Sequence, residues 1–253
     1  MNTDINYLKY LKYKGKYLSL YNKIQNGGKN VLIDKDEESK LSVPEGQYVE
    51  LVKGKDLMQK GKDLLQKIYT DVKRDTTPLH DKYPLHQITY GEMNYDGIEH
   101  FLTLLNSENK LTYVMDIGSG RGKICIYVAL HPDIKQSIGV EIVKERHDDA
   151  IALLEQFKKE IPIENVNLIN DDILRLNLKV LVPAPALIWW SNLCFSQELI
   201  DKITLKLVDE LPKGSIIVCS KDLTANSKIK KMDKKVIPMS WNATHEVFIN
   251  KII

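Results

Sequence analysis

A chain of 253 residues with 43% hydrophobic side chains is long enough to bury one large core, or a small unit beside a larger one. Its 36 Lys and Arg against 34 Asp and Glu leave a formal charge of +2. That excludes a global field pulling in nucleic acid or a membrane surface, so local clusters must carry any such role. Cys125, Cys194 and Cys219 are odd in number, sit in apolar surroundings and lack ligand spacing, which predicts buried thiols in a reducing, intracellular compartment. No secretory leader and no apolar run of membrane length is expected, and the Asn242-Ala243-Thr244 sequon is then incidental.

Residues 1–30 set Tyr7, Leu8, Leu11, Leu18 and Tyr21 at helical spacing among Lys9, Lys12, Lys14, Lys16 and Lys23, which predicts a basic amphipathic helix. Gly27 and Gly28 stop it, and the polar run over 31–44 reads as a linker. Two readings of the helix stand side by side: a solvated element packing its Tyr/Leu face, or an arm for nucleic acid or a protein partner. In composition the stretch is similar to the Tyr/Lys-rich leaders of proteins from large DNA viruses, a resemblance that implies a viral source.

Residues 45–106 form a helical region in this reading. Leu57, Met58, Leu64, Leu65 and Ile68 give a helical period, Pro78, Pro84 and Gly91 interrupt it with a loop, and a second short helix covers about 98–105. His80, His86 and His100 are too irregular to be a metal set. From 107 to 253, strand-like runs at 113–117, 137–141, 166–170, 186–191 and 215–220 alternate with helices at 123–130, 143–159 and 197–211. That alternation calls for an α/β fold, a Rossmann-like parallel sheet covered on both faces, with 235–240 and 246–252 adding an antiparallel edge.

The turn "DIGSGRG" follows the first strand and opens the first helix, where a doubly wound sheet binds nucleotide-like ligands. Gly118 and Gly120 allow close backbone approach. Glu141 falls about twenty residues later, at the end of the second strand, where a carboxylate accepts both ribose hydroxyls. It is placed at the surface of the sheet, so that its removal leaves the fold intact. Asp116 puts negative charge where a dinucleotide pyrophosphate would lie, which repels NAD and suits the ammonium of a methionine moiety. The ligand joining ammonium, ribose and adenine is S-adenosylmethionine. Asp172 then either accepts from the adenine amino group, with Ile173 covering the ring, or caps the following turn.

The segments "YGEMNYDGI", "VMDIGSGRGK", "GVEIVKER", "DDIL", "IWWSNLCFSQELIDKITLKLVDELPKGSIIVCSK" and a late "SW" occur in one order. In that order and spacing the chain resembles the non-SET, Dot-one-type (disruptor of telomeric silencing) histone lysine methyltransferases, over about residue 90 to the C-terminus. The resemblance implies a class I S-adenosylmethionine-dependent methyltransferase sheet and methyl transfer to a lysine on the globular core of histone H3 in nucleosomes. It implies cofactor contacts at Tyr90, Glu92, Asp116, Gly118, Gly120, Lys123, Glu141, Asp172, Ile173 and Asn192. Lys123 stands where the family commonly has glutamine, and Met93 where it has a small hydroxyl residue.

The fourth strand ends in Ser191-Asn192-Leu193-Cys194-Phe195, without the prolines of enzymes that methylate nucleobase amino groups. By the resemblance Asn192 lies beside the transferring methyl group; read from the residue alone, its amide serves equally to tie two loops together. Phe195 and Trp241, with Phe248 as a further candidate, are the aromatics expected to line an acceptor-lysine channel. Holding a lysine neutral at pH 7 costs roughly 4.6 kcal/mol from its ordinary pKa, a cost that an apolar channel lowers.

Lys228, Lys230, Lys231, Lys234 and Lys235 sit in a loop that the family uses to dock on the acidic patch of the nucleosome; the other reading is a solvated hairpin. The N-terminal helix is a second candidate contact, to DNA. The chain is expected to be a monomer, in a host nucleus or at a viral replication site. The alternatives are a methyltransferase of another protein or of RNA, and a nucleosome-binding module that has lost catalysis.

Overall fold

In the computed structural model the residues described are 45–71, 79–89, 91–105 and 111–253. The expected basic helix and linker of 1–44, and Tyr90, lie outside them. The chain divides into two units, Met1–Val49 and Glu50–Ile253.

Helix α1 runs over Glu45–Asp71, followed by a 3-10 turn at Leu79–Asp81 and the short helices α2 (Leu85–Ile88) and α3 (Tyr95–Leu102). Asn94 starts α3 by accepting the Gly97 amide at 2.8 Å, satisfying one of the free amides of the first turn. Then come β1 (Tyr113–Ile117), α4 (Lys123–Val128), β2 (Gln136–Glu141), α5 (Lys144–Lys158), β3 (Val166–Asn170), α6 (Leu178–Leu181), β4 (Ala186–Trp190), α7 (Gln197–Glu210), β5 (Ile216–Cys219), β6 (Ile229–Lys231), β7 (Lys235–Val236) and β8 (Glu246–Ile252).

One sheet runs in the order β3-β2-β1-β4-β5-β8-β6, with β7 also paired to β8. The first five strands are parallel, and β8 lies antiparallel to β5 and β6. This is the Rossmann-like α/β sheet expected from the alternation of elements.

Strand period places alternate residues on opposite faces. Val114, Leu187 and Trp189 join a core with Phe101, Tyr127 and Leu153, under α3, α4 and α5. Met115, Ile188 and Trp190 turn to the other face, against Ile200, Ile203 and Leu207 of α7. Because both faces are covered, β4 is apolar at every position and fully buried. Strand order reverses between β2-β1 and β1-β4, so the carboxyl ends of β1 and β4 diverge into a crevice.

Two expectations are corrected. The strand over 235–240 shrinks to Lys235–Val236, because Pro238 has no amide to donate. Met239 bridges Met93 instead, and the Ser240 amide donates to the Glu92 carbonyl at 2.8 Å. The lysine segment, read as a loop, contains strand β6 paired to β8.

Candidate active site

At the carboxyl ends of β1, β2 and β4 lies a cavity of about 500 Å³. Its floor is the glycine turn, where Gly118, Gly120 and Gly122 have φ of 81°, 53° and 76°. Side chains are strained there. The Gly118 and Ser119 amides donate to the Val140 carbonyl at 2.8 and 3.0 Å, fixing the turn to β2. A Cβ on Gly118 would meet nothing within 4 Å, so a ligand can lie directly on that backbone.

Two carboxyl groups are buried beside the turn. Asp116, in β1, is 2% exposed and faces the cavity. Burial first, and then the neighbouring Glu141 charge, pushes its pKa up to about 8. Glu141 accepts the Gly120 amide on Oε2 at 2.7 Å and the Val143 amide on Oε1 at 2.8 Å. Burial raises its pKa against the opposing pull of these amides. The placement of Glu141 on the sheet surface is therefore corrected: at 4% exposed it pins the glycine turn and the start of α5 as well as facing the cavity. A carboxylate offers about four acceptor sites, more than the backbone amides around Glu141 occupy, so capacity is left for a ligand hydroxyl.

Further along the same wall, Asp172 and Ile173 both line the cavity. Asp172 Oδ1 accepts the Leu174 amide at 2.9 Å, so it caps its turn while facing the cavity. Arg146, which the sequence reading did not single out, lines the cavity and donates to the Gln87 and Ile88 carbonyls. Next to it, Glu145 holds Lys82 at 2.6 Å and the Tyr83 hydroxyl at 2.9 Å. The start of α5 thereby anchors residues 82–88 beside the pocket. The "KER" triplet carried this signal, but nothing in it named the partner.

At the opposite end, Lys123 Nζ meets Glu92 Oε2 at 2.6 Å, with side chains 11% and 18% exposed. The Tyr69 and Tyr95 rings lie 5.9 and 5.4 Å from this ammonium. A lysine at the first position of a helix opposes the helix dipole, and Glu92 supplies the compensating charge from another segment. Glu92 is held in turn by Ser240, whose Oγ accepts its amide at 3.1 Å.

The remaining wall follows β4. Ser191, Leu193, Cys194 and Phe195 line the cavity, and Phe195 packs edge-on against Trp190 at 5.6 Å. Asn192 does not line it. Fully buried, it accepts the Lys221 amide on Oδ1 at 2.6 Å and donates Nδ2 to the Lys221 carbonyl at 3.1 Å. Both amide functions go to a neighbouring loop, so the tie, one of the two readings of this residue, is what the geometry displays. Cys194 is exposed, against the expectation of three buried thiols, because the chain leaves the sheet there. Trp241 also lines the cavity, its ring so close to Gly91 that a Cβ there would sit 2.2 Å from it. Phe248 is not in the wall; Lys234 covers its ring at 4.7 Å.

The lysines of the β6–β7 segment are outside the cavity. Lys228 pairs with Asp209 at 3.0 Å, Lys231 with Asp222 at 2.6 Å and Lys234 with Glu246 at 3.3 Å, all half-exposed. Lys230 and Lys235 are exposed on the same edge.

Over residues 69–248 this chain matches the sequence model of the family described as histone methylation protein DOT1. A histone-lysine N-methyltransferase of Caenorhabditis elegans, H3 lysine-79 specific, is 30% identical over 146 residues, which are 55% of this chain and 15% of that protein. The chain thus spans only about 15% of that relative's length. Among solved structures, an RNA methyltransferase from Salinibacter ruber, in complex with S-adenosyl-L-homocysteine, is similar with a TM-score of 0.46 at 15% identity, covering 63% of this chain and 92% of that one. An rRNA methylase from Streptococcus thermophilus follows with 0.44 at 15% identity, covering 61% and 95%. With most of its length matched, including the glycine turn, both buried carboxyls and the β4 loop, this chain belongs to the DOT1 histone methylation family.

Proposed function

We propose that this chain is an S-adenosylmethionine-dependent protein lysine N-methyltransferase acting on a lysine of the histone H3 core within nucleosomes. One observation carries the donor half of that reading: Asp116 and Glu141, both nearly fully buried, face a cavity whose glycine floor has room for a ligand against the backbone. A buried carboxyl whose pKa is driven up to about 8 is a standing cost to the fold unless a cation arrives to use it. The donor set fits S-adenosylmethionine, with Asp116 for its ammonium, the free lone pairs of Glu141 for its ribose hydroxyls, and Asp172 with Ile173 for its adenine. When bound, that molecule supplies a methyl group already activated on a sulfonium.

What the protein must add is alignment and dryness. Phe195 and Trp241 bring apolar surface to the acceptor side of the cavity. Such surface disfavours an ammonium and lowers the cost of presenting a neutral lysine amine. No group of the cavity wall is needed to take the proton before the amine enters.

Family membership supports histone H3 as the acceptor. For docking we propose the β6–β7 lysines against the acidic patch, and the basic segment before residue 31 against DNA, with the chain acting as a monomer. Lysine is a point charge without arginine's bidentate fork, so this contact is weak per residue and sensitive to salt. Acting on nucleosomes, the chain would work in a nucleus or at a site of viral replication. The reading is tested by offering radiolabelled S-adenosylmethionine with reconstituted nucleosomes, free histones and RNA, then mapping the product by mass spectrometry. Label on H3 in nucleosomes is expected; label confined to RNA overturns the acceptor, and label on none overturns the activity.

A further inference from the structure

The β4 loop, residues 191–196, forms the acceptor-side wall through four of its residues, and two backbone bonds brace its first half, one of them back to the strand. Asn192 donates its amide to the Trp190 carbonyl at 2.9 Å, and Phe195 donates to the Asn192 carbonyl at 3.2 Å. At its far end Ser196 caps α7, accepting the Leu199 amide on its hydroxyl at 3.3 Å and the Ile200 amide on its carbonyl at 3.0 Å, and further restraint comes from Lys221, beyond β5. The Lys221 backbone binds the Asn192 side-chain carboxamide, its N–H donating to Oδ1 at 2.6 Å and its carbonyl accepting from Nδ2 at 3.1 Å. In addition, its Nζ reaches along the loop to donate to the Phe195 carbonyl at 3.2 Å. The side chain is partly buried, and the adjacent carboxylate, Asp222, is engaged by Lys231.

Such an arrangement differs from an ordinary surface lysine, which pairs with a carboxylate. A charged donor on a neutral carbonyl is a directional, charge-assisted bond. Here it fixes the backbone of the residue whose ring packs against Trp190 and lines the cavity. We propose that Lys221 is a positioning residue for methyl transfer: its ammonium clamps the Phe195 carbonyl and so sets where the acceptor-side wall stands. This rests on the methyltransferase reading above. In-line transfer is steep in geometry, with a misplacement of about 1 Å costing about 100-fold. Without the ammonium, the Phe195 carbonyl loses this bond, and the position of its ring between Asn192 and the Ser196 cap rests on the Phe195 amide and the packing on Trp190.

The test compares the full chain with Lys221→Met and Lys221→Arg. Measured for each are kcat and KM with nucleosomes, S-adenosylhomocysteine affinity, thermal unfolding, and hydrogen exchange of the amides of 191–196 and of 118–122. For Lys221→Met a 10- to 100-fold fall in kcat is expected, with S-adenosylhomocysteine affinity within about twofold of wild type. Exchange is expected to speed up in 191–196 and to stay unchanged in 118–122, and Lys221→Arg, which keeps the charged donor, should restore most of the rate. An unchanged kcat, or exchange unchanged in 191–196, overturns the clamp. Equal losses of affinity, melting temperature and rate overturn it too, as a general loss of fold. If the wild-type chain transfers methyl to no acceptor, the methyltransferase reading fails, and the exchange pattern alone decides whether Lys221 holds the loop.

Discussion

Asp116, at the carboxyl end of β1, and Lys228, beside the amino end of β5, are ionisable side chains toward opposite ends of one sheet, and their settings are opposite. Asp116 is 2% exposed, its pKa lifted to about 8, and it faces a cavity. Lys228 is more than half exposed and already paired with Asp209. The first arrangement costs the folded state free energy and is explained by a ligand that brings the opposite charge. The second costs almost nothing, and exposed pairs of its kind contribute about 0–1 kcal/mol. Charge near the cavity is therefore committed to one chemistry, whereas charge on the β6–β7 edge is adjustable, and substitutions in the two regions should differ in size and in kind.

The largest effect is expected at Glu141. Glu141→Ala removes a ligand carboxylate and strands the Gly120 and Val143 amides in the interior, each costing about 1–3 kcal/mol. S-adenosylhomocysteine affinity should fall by two orders of magnitude or more, about 2.7 kcal/mol, and the melting temperature should drop with it. Calorimetry and thermal unfolding check both. Affinity lost at an unchanged melting temperature would return Glu141 to the surface role the sequence suggested.

Next is Asn192→Ala. Its two bonds to Lys221 hold the acceptor wall and leave the donor pocket alone. Turnover should fall at least tenfold with cofactor affinity nearly normal, accompanied by about 1–3 kcal/mol of lost stability. Steady-state kinetics beside a cofactor titration separates the two. A parallel loss of affinity would place Asn192 at the donor after all.

The smallest effect belongs to the lysine edge. Reversing Lys228, Lys230 and Lys231 to Glu should lower nucleosome methylation several-fold at low salt and flatten its salt dependence, leaving S-adenosylhomocysteine affinity unchanged. Equal nucleosome activity in the reversed chain removes the acidic-patch docking and keeps the methyl transfer.

The same contrast decides what was legible in the sequence. Strands 113–117, 166–170 and 246–252 are read to the residue, because apolar side chains recur at strand spacing in each and turn residues bound them. Strand β6, "IKK" on an exposed edge, has no apolar period and passes for loop. The four-residue helix α6 is likewise too short to leave a period. Within the site, Asp116, the glycines and Glu141 were visible because turn chemistry ties them to a fixed point after a strand. The tie from Asn192 to Lys221 spans 29 positions and depends on β4 and β5 lying side by side, which no local pattern encodes. The anchoring of residues 82–88 by Glu145 and Arg146 was hidden for the same reason.

The central claim is that Asp116 receives the cationic end of the ligand, and proton release on binding tests it most directly. In the free protein the carboxyl stays largely protonated below pH 8. A bound ammonium favours the carboxylate, so binding must expel the proton; affinity rises with pH, by up to about tenfold per unit, and levels off above about 8. Titrating S-adenosylhomocysteine at pH 7, in buffers of differing ionisation enthalpy, should show close to one proton released per chain, and Asp116→Asn should abolish that release. Binding with no proton released and no pH dependence, or no binding at any pH, would contradict the account.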